Sequence, residues 1–170
     1  KDGIRNIWFA LADVLTEAEL VELKKDISSE GIRRSATFKV LAVIDKAFAG
    51  IAVNSFVQNG NLDGIVIDLD RLMSSFGLEE IRELDDSLAN FLRYVIEIVN
   101  AHNCQMLLIN RAINISNAQL KLFLEKGLNN FVAPVPRLMD LKLQVSDQEI
   151  ARLVKQKKRG RKRKKIDFGF

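Results

Sequence analysis

The strongest constraint on the fold of this chain is a strict alternation of short apolar runs with segments of helical spacing. The runs are Ile4–Ala12, Phe38–Ile44, Leu62–Leu69, Gln105–Ile109 and, more weakly, Asn130–Ala133. Thr16-Glu17-Ala18-Glu19 reads as a capping box, in which hydroxyl and carboxylate satisfy opposite orphan amides; Leu20, Leu23 and Ile27 then form an apolar stripe ending near Gly31. Ser116-Asn117-Ala118-Gln119 opens a second helix in the same way, with Gly127 at its end. Leu88, Phe91, Leu92, Val95 and Ile98 predict a long helix over Asp86–His102, Lys46–Val57 predicts another, and Ser146-Asp147-Gln148-Glu149 opens the last. Strand followed by helix, repeated, is the pattern of an α/β chain with parallel strands, and near-continuous apolar strands imply that both sheet faces are covered. Periodicity leaves two architectures open, a doubly wound sheet and part of a (β/α) barrel. About five β/α units are too few to close an eight-stranded barrel.

Composition narrows the function classes. In 170 residues, 48% apolar and 28% charged residues make a globular chain with a sizeable core. No apolar run approaches the roughly 18 residues of a membrane helix, and Lys1-Asp2-Gly3-Ile4-Arg5-Asn6 has no signal-peptide character. One cysteine, Cys104, and one histidine, His102, leave no internal disulfide and no Cys/His zinc cluster, so a cytoplasmic location is expected. The first residue is Lys1 rather than Met, which points to a piece of a longer protein. Lys155–Lys165 holds nine of the 26 basic residues and no acid; the other 17 face 22 acidic residues, so an acidic body of net −5 carries a basic tail. We divide the chain into a partial barrel, residues 1–145, and a C-terminal helix with its tail, residues 146–170.

In either architecture a ligand binds at the carboxyl ends of the strands. Asp13 follows the first run, Asp45 ends the second, Asp68 and Asp70 end the third with Arg71 next, and Asn110 with Arg111 ends the fourth. Asp45, Asp68 and Asp70 are the candidate Mg²⁺ ligands, because Mg²⁺ takes oxygen donors, commonly one or two carboxylates with waters and substrate oxygens. Asn110 and Arg111 are the candidate substrate-binding pair, with Arg71 as a further donor to phosphate or carboxylate. The competing reading makes these ordinary turn residues where solvent begins. A receiver domain needs an acidic pair after the first strand, where Asp13 stands alone, and the scattered glycines form no phosphate-cradling loop.

The order of segments resembles the C-terminal phosphoenolpyruvate-binding barrel of PEP-utilising enzymes, nearest the phosphoenolpyruvate synthase (pyruvate, water dikinase) type. The family strand LMIPFVRT falls on Phe9-Ala10-Leu11-Ala12-Asp13-Val14-Leu15-Thr16, followed by Glu17, Glu19 and the turn Gly31-Ile32-Arg33-Arg34. KVxMMxEIPSN falls on Lys39–Ala49, FDGFSIGSNDL on Leu62–Leu72, VGICGQ on Met106–Arg111 and GIESISLNPD on Gly127–Val135. The resemblance implies a PEP/pyruvate-binding TIM barrel, phosphotransfer, Mg²⁺, and PEP or pyruvate as ligand. It also implies nucleotide and phosphohistidine domains and the rest of the barrel as partners. Its chemistry is largely replaced: the metal-binding glutamate becomes Asp45, the metal-binding aspartate falls on Arg71, the proton-donating cysteine on Ile109, and the substrate arginine on Leu15. The expectation is therefore a divergent dikinase segment with degraded catalytic residues, inactive as an isolated chain; the alternative is a non-catalytic scaffold or nucleic-acid-associated module. In that alternative Lys157, Lys158, Arg159, Arg161, Lys162, Arg163, Lys164 and Lys165 contact nucleic acid or another anionic surface, in a salt-sensitive way. The bland reading of the run is a disordered, solvated end.

Overall fold

The computed structural model describes residues 7–32, 35, 37–59 and 62–166, with side chains through 155. The chain divides into two compact units, Lys1–Ala133 and Pro134–Phe170. In the first, five strands, β1 (Ile7–Leu11), β2 (Phe38–Ile44), β3 (Gly64–Asp68), β4 (Gln105–Ile109) and β5 (Phe131–Val132), form one sheet in the order β1-β2-β3-β4-β5. Every pairing is parallel. Parallel crossovers are right-handed in nearly all proteins, so a strand order that always advances in one direction puts every helix on one face. That is the winding of a (β/α) barrel and decides between the architectures left open by the sequence.

Between the strands lie α1 (Glu17–Ser29), α2 (Ala47–Ile51), α3 (Val53–Asn59), α4 (Leu69–Ser75), α5 (Asp86–Ala101) and α6 (Asn117–Glu125). Both capping boxes form: Thr16 accepts from the Glu19 amide and Ser116 from the Gln119 amide, and each N3 side chain reaches back to its cap. Gly31 and Gly127 follow their helices at φ +78° and +103°, the left-handed region where a side chain is strained. Lys46–Val57 is not one helix but two, broken at Ala52, and α4 lies where an apolar strand was read through to Leu69. Ile4–Asn6 of the first run and Arg33-Arg34 of the turn lie outside the described residues.

Side-chain alternation sorts the strands. Val40, Ala42 and Ile44 of β2, Ile65 and Ile67 of β3, and Met106 and Leu108 of β4 face the helices, joining Leu20, Phe56, Leu72, Leu92 and Phe123 in one core. On the opposite face Leu41, Val43 and Val66 form a smaller cluster with Leu107 and Ile109. The outer strand β1 leaves Trp8 and Phe9 about half exposed, so the expectation of two covered faces fails there.

In the second unit α7 runs Val135–Ile166 without a break at Ser146, so the capping box read there does not start a helix. Ser146 lies inside the helix because Leu138, Leu141 and Val145 before it and Ile150 and Leu153 after it recur, on each side, at spacings of three and four. The basic run has helical backbone to Ile166; the side chains of Lys157, Lys158, Arg159, Arg161, Lys162, Arg163, Lys164 and Lys165 lie outside the described residues. No helix among the described residues is long and apolar enough to cross a membrane.

Where β3 meets β4, a Cβ on Gly64 would stand 2.5 Å from the Gln105 carbonyl oxygen. Gly64→Ala should therefore destabilise the protein by about 2 kcal/mol, the usual scale of overpacking, in urea unfolding. An unchanged midpoint would contradict this close approach.

Candidate functional site

The register carries the polar residues to one rim. Ile44 pairs with Ile67 and Asp68 with Ile109, so Asp45, one step past Ile44, stands beside Asp68 on the face opposite the helices. Arg111, two residues past Ile109, follows on that same side.

Asp68 does two things. As N-cap of α4 it accepts from the Arg71 amide at 3.2 Å, and it takes a fork-to-fork pair from Arg111, Nη1 to Oδ1 at 2.7 Å and Nη2 to Oδ2 at 2.9 Å. Burial alone, the largest influence, would raise the Asp68 pKa, but the Arg111 pair, the Arg71 amide and the two guanidinium charges together bring it below the ordinary 3.8. Asp70 is spent on the backbone: its carboxylate accepts the amides of Arg111 (2.7 Å) and Ala112 (3.1 Å), fixing the turn after β4. Asn110 turns its side chain back on that loop, Nδ2 donating to the Ile113 carbonyl and Oδ1 accepting the Ile113 amide, both at 2.9 Å.

The other half of the rim centres on Arg71. Its Nη1 lies 3.0 Å from Asp45 Oδ2, and its Nη2 lies 3.2 Å and 3.5 Å from the two oxygens of Asp13. Asp13 sits in a left-handed turn at φ +59°, which aspartate tolerates better than most residues. Lys46 closes the set, its Nζ 2.7 Å from Asp13 Oδ1. A hydrogen bond from Lys46, reinforced by its charge and that of Arg71, lowers the Asp13 pKa, and the same bond raises that of Lys46.

Asp45 is the anomaly. It is 1% exposed, and among the described residues neither carboxylate oxygen accepts a hydrogen bond. The Arg71 guanidinium is near enough for an ion pair with Oδ2 but is not aimed as a donor, and Oδ1 has no hydrogen-bond partner among the described residues. Buried polar atoms are nearly always satisfied, so among the described residues the Asp45 carboxylate is the least satisfied polar group of the rim. Sequence reasoning found Asp13, Asp45, Asp68, Asp70, Arg71 and Arg111 but passed over Lys46. Its signal was available, a cation directly after a strand-end aspartate.

No family model and no curated protein matches the sequence. Solved structures do match. A variant of citrate synthase SbnG shares 21% identity at a TM-score of 0.58, over 90% of this chain and 64% of that one. The M. tuberculosis citrate lyase β subunit, complexed with oxaloacetate and magnesium, shares 12% at 0.55, over 83% of this chain and 60% of that one. An HpcH/HpaI aldolase from Desulfitobacterium hafniense shares 12% at 0.53, over 82% of this chain and 62% of that one.

The fold is that of these lyase and aldolase barrels. This chain spans less than two thirds of the length of each. The resemblance to PEP-utilising enzymes is thereby corrected, and with it the reading as a phosphoenolpyruvate synthase-like kinase or transferase segment. Apolar strands ending in aspartate occur wherever parallel strands end at a polar rim, so such strings do not separate one barrel family from another. The residues that would have discriminated fall on Ile109, Leu15 and Arg71.

The Asp68–Arg111 pair makes two measurable differences. Arg111→Ala should cost about 1 kcal/mol in chemical unfolding, at the low end for a buried carboxylate losing its partner because Arg111 is half exposed. Because the Asp68 pKa is depressed on folding, its stabilisation is complete above the ordinary 3.8 and is lost as pH falls below it. Asp68→Asn should flatten part of the acid limb of a stability–pH curve; an unchanged limb would contradict the pairing.

Proposed function

We propose that the rim binds a small carboxylate of the 2-oxo-acid class and that the chain is the rim-bearing part of a lyase- or aldolase-type barrel. The observation that carries this reading is the convergence of Lys46, Arg71 and Arg111 with the orphaned Asp45 at the carboxyl ends of parallel strands. Its support from comparison is fold likeness to proteins whose solved complexes hold oxaloacetate or pyruvate.

The chemistry follows from donors and acceptors. Arg111 is 52% exposed, and its guanidinium is held in one orientation by the Asp68 fork. Arg71 is 48% exposed and can turn its Nη2 edge from Asp13 towards a ligand carboxylate while Nη1 stays on Asp45, because Lys46 still neutralises Asp13. Asp45 then offers its free oxygen to a ligand hydroxyl or an acidic C–H, the position of a general base.

Magnesium accompanies four of the similar structures. Here the candidate ligands are engaged: Asp68 by the Arg111 fork, Asp70 by two backbone amides, and Asp45 by a guanidinium at 3.0 Å. Among the described residues no three of His, Cys, Asp and Glu come together to hold a metal ion. This arrangement does not fit a divalent cation, and no step above uses one.

Titration calorimetry with pyruvate and with oxaloacetate tests the reading. Both wild-type binding and at least tenfold weaker binding by Arg111→Lys, which keeps the charge and loses the fork, are expected. No heat with either acid, or equal affinity in the variant, would overturn it.

A further inference from the structure

Two carboxylates, Asp13 and Asp45, are bridged by one guanidinium. Asp45 is buried and at the end of β2; Asp13 is in the turn after β1; Arg71 reaches both from the first turn of α4, where its own amide is tied to Asp68. A buried carboxylate without a counter-charge costs several kcal/mol, so this one needs a resident cation. Arg71 Nη1 lies 3.0 Å from Asp45 Oδ2, and among the described residues that is the ion pair made by Asp45, while Lys46 stands 2.7 Å from Asp13 and Arg111 forks onto Asp68.

A guanidinium between two carboxylates, one of them with an unused oxygen, stands where a divalent cation would otherwise collect ligands. Among the described residues four carboxylates, Asp13, Asp45, Asp68 and Asp70, face three cations, Lys46, Arg71 and Arg111, a formal balance of −1. Removing Arg71 would change that to −2 and strip the counter-charge from Asp45.

The geometry points to Arg71 as a built-in counter-cation that takes the place of a divalent metal ion at Asp45 and Asp13. Two consequences follow. The wild-type rim works without a divalent ion, and an Arg71-deleted rim acquires affinity for one. The first rests on the rim being the carboxylate site proposed above; the second needs no organic ligand.

Free Mn²⁺ measured by electron paramagnetic resonance reads the second directly, on the full chain, in wild type, Arg71→Ala and Arg71→Ala/Asp45→Asn. Arg71→Gln, which keeps most of the side chain's volume, is a second single variant should the alanine protein fold poorly, and circular dichroism establishes folding in each. The expected result is Mn²⁺ affinity at least about tenfold higher in the Arg71 variant than in wild type, lost again when Asp45 becomes Asn. Equal Mn²⁺ binding by wild type and the Arg71 variant, or none by either, would overturn the assignment. A gain in Mn²⁺ affinity without any pyruvate or oxaloacetate binding would leave the counter-cation standing and remove only the proposed ligand.

Discussion

The in-register parallel pairing of β2, β3 and β4 is the constraint from which the rest of the rim follows. Once Ile44 is paired with Ile67 and Asp68 with Ile109, alternation leaves no choice about which residues share a face. Val40, Ala42, Ile65, Ile67, Met106 and Leu108 go to the helices, and Leu41, Val43, Val66, Leu107 and Ile109 go to the other side. The first polar positions beyond this second set are Asp45, Asp68 and Arg111. A one-residue slip in β3 would turn Asp68 into the helix-facing core, where its charge would have no partner.

That placement creates an electrostatic problem, which the loops solve. Asp70 is hydrogen-bonded by two backbone amides, Asp68 is neutralised by a bidentate guanidinium, Asp13 by an ammonium, and Asp45 by the inner end of Arg71. Only the last arrangement is incomplete, since among the described residues neither Asp45 oxygen has a hydrogen-bond donor. Strong pairing around one unsatisfied acceptor is what a preorganised site requires, because the donors facing a ligand are already held in position.

The sequence made the layer order legible because each signal was local. Thr16 with Glu19 and Ser116 with Gln119 lie three residues apart, and β2 and β4 are unbroken apolar runs bounded by polar residues. Asp13, Asp45, Asp68, Asp70, Arg71 and Arg111 were readable as strand-end groups for the same reason. Their partners were not, because those depend on contacts across 41 to 58 residues of chain, Arg111 with Asp70 and Asp68 and Arg71 with Asp13. Nothing local tells Asp70, which caps a turn, from Asp45, which is buried and orphaned. Ser146 failed in the opposite sense: its local capping signal is real, but the helix had already begun at Val135. The family resemblance failed because it leaned on strand strings common to parallel barrels, while the positions bearing specific chemistry had changed.

The coupling between Asp45 and Arg71 is the most direct measure of this arrangement. A double-mutant cycle of Asp45→Asn and Arg71→Gln, followed by urea unfolding at neutral pH, isolates that pair from Lys46, Asp13 and Asp68. The expected result is a coupling energy above about 1 kcal/mol, with the second substitution costing little once the first is in place. Single effects that add to within about 0.5 kcal/mol would show that Arg71 is not the counter-charge of Asp45, and would contradict the reading of the rim built on it.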